Sequence, residues 1–187
     1  MSYILGSGIP VVFVDRIVDG IQCDTVLVNN REASKGAVDF LLDRNYRRIG
    51  FISGPKDRLT GIERLGGYKE ATAGHGSGED PELIRYGDFS YESGRECAAE
   101  LIDSARIDSL YAANIDMATG AFHVLKEKSI RVPDNIAFIM FDDPDWATLV
   151  TPQVTVVRQP VYTIGSTAAE LLLKRDLEGG KCLDKEP

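Results

Sequence analysis

Short apolar runs alternate with amphipathic stretches along nearly the whole of this chain, and that alternation restricts the folds open to it. Val11-Val12-Phe13-Val14 reads as a buried strand and residues 25–28 as a second, shorter one. Further strands are predicted at 48–53, 83–86, 109–113, 137–141 and 154–157. Helical spacing occupies the intervals. Residues 34–44 place Ala37, Val38, Leu41 and Leu42 on one face, and residues 91–104 do the same with Cys97, Ala98, Leu101 and Ile102. Helices are also predicted at 60–73, 117–128 and 164–177, the last with Leu171-Leu172-Leu173 as its core. Beyond Glu178-Gly179-Gly180 the residues 181–187 read as tail. Such regular strand–helix alternation implies an α/β fold, with a mainly parallel sheet covered by helices on both faces.

In such a sheet the loops after the strands converge on one edge, where ligands bind. The run Ile49-Gly50-Phe51-Ile52-Ser53-Gly54-Pro55 ends in a Gly-Pro break, and Arg58, Thr60 and Arg64 follow across the start of a helix. Two guanidinium groups, each a rigid fork of donors, suit a polar or anionic small molecule. Other polar groups follow other strands: Asp88 with Phe89, Asn114, and Asp142 with Asp143. Asp142 can accept from hydroxyls or amines, Asn114 can both donate and accept, and Phe89 offers a flat apolar face.

Several chemistries are disfavoured. A net charge of −8 on 187 residues argues against bulk electrostatic binding of a phosphate backbone. No run of about 18 apolar residues is present, so no membrane span is predicted, and residues 1–10 do not read as a secretory signal. His75 and His123 lie apart, with no partner at ligand spacing, and the 141–145 loop supplies too few convergent oxygens for a metal. Gly74-x-Gly76-x-Gly78 follows a helix, outside the context of a dinucleotide loop. No nucleophile–base pair stands out, so no catalytic residue, metal or cofactor is expected. Cys23, Cys97 and Cys182, odd in number and widely spread, read as reduced thiols.

The order of these motifs resembles the LacI/GalR bacterial transcription regulators, in the effector-binding core that follows their DNA-binding headpiece. The matching stretches are Ile9 to Arg16, Arg47 to Pro55, Thr60, Arg64 to Tyr68, and Gly87 to Gly94. They continue with Ala112-Ala113-Asn114, Met117-Ala118, Gly120-Ala121, Val132-Pro133-Asp134, Phe141-Asp142-Asp143, Val156 to Pro160, and Gly165. Three positions depart from the family's usual pattern: Asn114-Ile115 in place of Asn-Asp, Asn29-Asn30 in place of Asp-Asn, and Asn45-Tyr46 in place of Gly-His.

The resemblance implies a type I periplasmic-binding-protein-like core of two parallel-sheet lobes with a ligand cleft between them. Residues 30–157 would form the C-terminal lobe, and residues 1–29 and 160–187 an incomplete N-terminal lobe. Carried over residue by residue, it nominates Asp15, Arg58, Thr60, Arg64, Phe89, Asn114 and Asp142 as effector contacts. Asn30 and Arg158-Gln159 would fall near the crossover strands that act as a hinge. It also implies a cytoplasmic homodimer that senses a small polar metabolite, most naturally a sugar, and meets operator DNA only through a headpiece missing from this chain. The rival reading is a solute-binding protein of a transport system. An enzyme of the same fold class is the third.

Overall fold

The computed structural model describes residues 9–18, 20–76, 78, 80–178 and 183–184. The chain forms two compact units, one of Asn29–Arg158 and one of Met1–Val28 with Gln159–Pro187.

The larger unit is built on five parallel strands: β4 (Ile49–Ser53), β5 (Ile84–Tyr86), β6 (Ser109–Ala112), β7 (Ala137–Phe141) and β8 (Thr155–Val157). Their spatial order is β5-β4-β6-β7-β8. Strands β4, β6 and β7 are buried along their whole length, which is why they are almost continuously apolar. The helices are α1 (Asn30–Leu42), α2 (Leu59–Gly74), α3 (Tyr91–Ser104), α4 (Ile115–Glu127) and the single turn α5 (Trp146–Leu149). Helices α1 and α2 pack together, as do α3 and α4. The alternation along β4 assigns each pair its face. Phe51 stacks on Tyr68 of α2 at 4.7 Å. Gly50, on the other face, lies against Leu101 of α3 and Ile107.

Helix boundaries follow from their caps. Asn29 accepts from the Glu32 N–H and starts α1 four residues before the position that apolar spacing predicts. Ser90 and Asn114 cap α3 and α4 in the same way. Helix α2 has no such cap: Arg58 stands at its N-cap position in extended conformation, without a side-chain bond to the first turn.

The smaller unit holds β1 (Val12–Val14) parallel to β3 (Asp24–Val26), β2 (Ile21–Gln22) antiparallel to β9 (Leu183–Asp184), and α6 (Val161–Glu178). Arg175 of α6 pairs with Asp24 of β3 and holds that carboxyl below its ordinary range.

Three expectations need correction here. Residues 183–184 form a strand where a tail was predicted; the Gly179-Gly180 helix stop lies outside the described residues. Leu172 and Leu173 are exposed, the latter 64%. Three consecutive helical residues span some 200° of the helix circumference and cannot share one buried face. Cys23 is disulfide-bonded, against the expectation of reduced thiols, because linear spacing says nothing of which sulfurs meet in space. Cys97 is free and buried, and Cys182 lies outside the described residues. No helix among the described residues is long and apolar enough to cross a membrane.

Candidate functional site

The chain leaves β4 toward β5 on one side, then returns past β4 to lay down β6, β7 and β8 on the other. The direction of winding therefore reverses between β4 and β6. Helix α2 departs from β4 to one face of the sheet and α4 from β6 to the opposite face, so a crevice opens outside the carboxyl ends of these two strands. Gly54 and Ala113 are the residues at those ends. Backbone bonds carry the sheet one step past its strands here: Gly87 N–H donates to Ser53, Ala113 N–H to Ile52, and Asp142 N–H to Val157.

Arg64 comes up into this edge from the second turn of α2 and is 4% exposed. Its Nε donates to Asn30 Oδ1 at 2.9 Å and an Nη to the Ala113 carbonyl at 2.6 Å. The guanidinium lies over the Phe141 ring, 3.6 Å from the centroid. Its own carbonyl accepts from Ser34 Oγ, which in turn accepts from Tyr111 Oη. Tyr111, fully buried, reports on both charges of the site. Burial is the main reason its pKa is raised, while the Arg64 cation pulls it down and the Asp142 carboxylate pushes it up. Arg64 and Asp142 thus act on one point of the core.

Asp142 and Phe89 share a backbone signature. Asp142 directly follows β7 and Phe89 stands three residues past β5, both with left-handed φ, 77° and 71° respectively. Bulky side chains rarely adopt that region, and strained residues of this kind cluster at functional edges. The Phe89 ring is packed against Gly54, where an added Cβ would stand only 2.2 Å from it. Asp88 beside it accepts from the Ser90 N–H at 2.9 Å, and hydrogen bonds from Ser90 and Ser93 hold its carboxyl down to about 2.

The remaining nominated residues differ in their engagement. Thr60 is half-buried in the first turn of α2, and Arg58 is exposed at its uncapped start. Asn114 uses its carboxamide oxygen to cap α4, accepting from the Met117 N–H at 2.9 Å, which leaves its NH₂ for another partner. Asp15 belongs to the smaller unit, where it is exposed with φ 59° and donates its N–H to the Val26 carbonyl. Sequence reasoning missed Asn30, Ser34 and Tyr111 as parts of the Arg64 network. The available signal was the i, i+4 pair of polar residues on the otherwise apolar inner face of α1. Among the described residues no group of His, Cys, Asp and Glu is arranged to hold a metal.

Open α/β sheets of this kind bind their ligands outside the carboxyl ends of the strands, the edge on which Arg64, Phe89 and Asp142 lie. Residues 38–181 match the family described as periplasmic binding protein-like domain. The regulator CelR of Thermobifida fusca is 37% identical over 172 residues, covering 90% of this chain and 51% of that protein. The repressor CytR of Escherichia coli K12 is 33% identical over 165 residues, covering 88% and 48%. The structure of a CelR–cellobiose complex superposes with a TM-score of 0.82 at 35% identity, covering 92% of this chain and 54% of that one. The chain belongs to the periplasmic binding protein-like domain family and matches the effector-binding core of LacI-type transcription regulators. It spans about half the length of the curated relatives it matches.

Proposed function

We propose that this chain is the sensing part of a LacI-type regulator, taking a small polar metabolite of the sugar class at the carboxyl edge of the five-stranded sheet. The observation that carries this reading is that Phe89, Arg64 and Asp142 stand along the carboxyl edge of the sheet, in the loop after β5, against the end of β6 and after β7. The carboxylate accepts from vicinal hydroxyls, the ring offers a face to a pyranose, and Arg58 with Thr60 supplies further donors at the uncapped start of α2. Residues 30–157 are in this reading the C-terminal lobe of the core, and residues 1–29 and 160–187 belong to the N-terminal lobe. In the intact protein a helix-turn-helix segment would contact operator DNA and a homodimer would be the working unit, in the cytoplasm. The relatives are transcription regulators rather than transport proteins or enzymes, which supports this reading over its rivals.

The test is a thermal-shift screen of the chain against cellobiose, other sugars, sugar phosphates and purine nucleosides. A ligand at about 100 times its dissociation constant stabilises the native state by about 2.7 kcal/mol. A selective shift that disappears in Asp142→Asn is the expected result. Asparagine tolerates the left-handed backbone at this position and lacks only the charge. A shift that survives in that variant would remove Asp142 from the site.

A further inference from the structure

A second recess lies on the outer flank of α2, and none of the seven nominated contacts lines it. Ser53 and Tyr86 are register partners on β4 and β5, so their side chains rise from the same face of the sheet. Phe51, two residues before Ser53, identifies that face as the one α2 covers. The helix roofs β4 but not the outer end of the edge strand β5, and a groove of about 490 Å³ remains between them. That volume falls in the range of small-molecule sites. Pro55, Ile62 and Leu65 line its apolar wall.

Three features of the groove point to a ligand. The Ser53 hydroxyl, in a residue only 1% exposed, has no hydrogen-bond partner, a costly state for a buried polar atom. Tyr86 is 41% exposed and offers a flat face at the mouth. The Lys56 ammonium stands over that ring, 4.1 Å from its centroid, and no carboxylate among the described residues pairs with it. Arg31 and Lys69 also line the groove, with Glu70 as the single lining carboxylate, and Arg31 is paired with Glu63 at 3.1 Å as well. Glu70 is already occupied with Arg31, at 2.6 Å. The Lys56 ammonium, stacked on a ring with no carboxylate beside it among the described residues, selects for an anion. The exposed ring beside the lysine selects for one that carries a flat or ring-shaped body.

We propose that this groove is a second ligand site, for a small organic phosphate whose dianion meets Lys56 and whose ring lies along Tyr86. It shares a helix with the crevice at the switch point. Ile62, Leu65 and Lys69 line the groove while Thr60 and Arg64 belong to the crevice, so occupancy of one site bears on the helix that builds the other. The proposal goes beyond the reading above and does not depend on it.

Calorimetric titration of the 187-residue chain with phenyl phosphate, inorganic phosphate and phenol tests it. Phenyl phosphate is expected to bind saturably, one per chain, and more tightly than either fragment. Lys56→Gln should weaken it roughly tenfold or more, as expected for a lost charge-assisted contact. Tyr86→Ala should weaken it roughly threefold to tenfold, and Asp142→Asn should leave it unchanged. The absence of saturation by roughly 10 mM would overturn the site. So would binding that survives Lys56→Gln and is lost in Asp142→Asn, since the molecule would then occupy the crevice. Phenol binding as tightly as phenyl phosphate would overturn the anion assignment, and inorganic phosphate doing so would overturn the ring assignment.

Discussion

Arg64 is a cation taken almost wholly out of water, and that state persists only where fixed partners replace its hydration. Asn30, the Ala113 carbonyl and the Phe141 ring are such partners, contributed by α1, the end of β6 and the end of β7. The side chain therefore ties three elements together. Arg64→Ala would strand the Asn30 and Ala113 oxygens in a buried site. It is expected to lower stability by about 3–5 kcal/mol, in the manner of other broken buried charge networks. Arg64→Lys should rescue little, because an ammonium cannot reproduce the planar fork that reaches both acceptors while stacking on a ring. Urea midpoints of the three proteins check this. A loss below about 1 kcal/mol for Arg64→Ala would mean the network is dispensable and the arginine serves the ligand alone.

At the scale of elements, the helix pairs approach backbone to backbone, and glycines make this geometrically possible. A Cβ on Gly94 of α3 would stand 2.2 Å from the Met117 carbonyl oxygen of α4, and one on Gly120 of α4 2.1 Å from the Tyr91 carbonyl oxygen. Alanine at either position gains about 1 kcal/mol of helix propensity but forces the helices apart, at about 1–3 kcal/mol or more. Backbone cannot swing aside as a flexible side chain can, so the second effect should win at Gly94. Gly36 of α1 faces open space, and there only the propensity gain remains. Thermal unfolding of Gly94→Ala and Gly36→Ala should shift in opposite directions. A stabilised Gly94→Ala would show that the α3–α4 contact is not close-packed.

The same elements explain how much of the fold is legible in the sequence. Strands β4, β6 and β7 announce themselves because burial on both faces demands an unbroken apolar run, and α3 falls where its apolar spacing predicts. Strands β2 and β9 have two residues each and α5 has four, too few to express any period. The start of α1 is shifted because its first inward residues, Asn30 and Ser34, are polar and break the apolar pattern that defines the rest of the helix. At the site, the strand-end positions of Phe89 and Asp142 are legible as loop residues after apolar runs. Their left-handed backbones are not legible, since a Phe disfavours φ > 0 and an Asp, though enriched there, adopts it in only a small share of its positions. The commitment of Asn114 to a helix cap is hidden for a related reason: cap and ligand contact use the same side-chain chemistry.

For the molecule as a whole, protons bind differently to the folded and unfolded chains at both ends of the pH scale. On the acid side, serine hydrogen bonds hold Asp88 down to about 2, against an ordinary 3.8. Arg95 and Arg175 lower Glu127 and Asp24 in the same direction. These groups contribute stability above their ordinary pKa values and lose it as pH falls through the folded ones. On the alkaline side the core of the larger unit buries a thiol and a phenol in neutral form. Burial pushes Cys97 up from 9.0 to about 11 and raises Tyr111 above its ordinary 10. The folded state then holds protons that the unfolded chain has released, so stability is complete below about pH 9 and falls as pH rises toward 11. Melting temperatures should accordingly form a plateau across about pH 5–8, with a decline on the alkaline side that carries two separable contributions. Cys97→Ala should flatten the part between pH 9 and about 11. Tyr111→Phe should leave the decline between pH 9 and 10 in place and flatten it above about pH 10, where the unfolded phenol releases its proton while the folded one keeps it. An alkaline decline with the same slope in wild type and both variants would assign it instead to the exposed lysines and tyrosines losing their charge balance. The buried thiol and phenol would then have no part in the pH response of the fold.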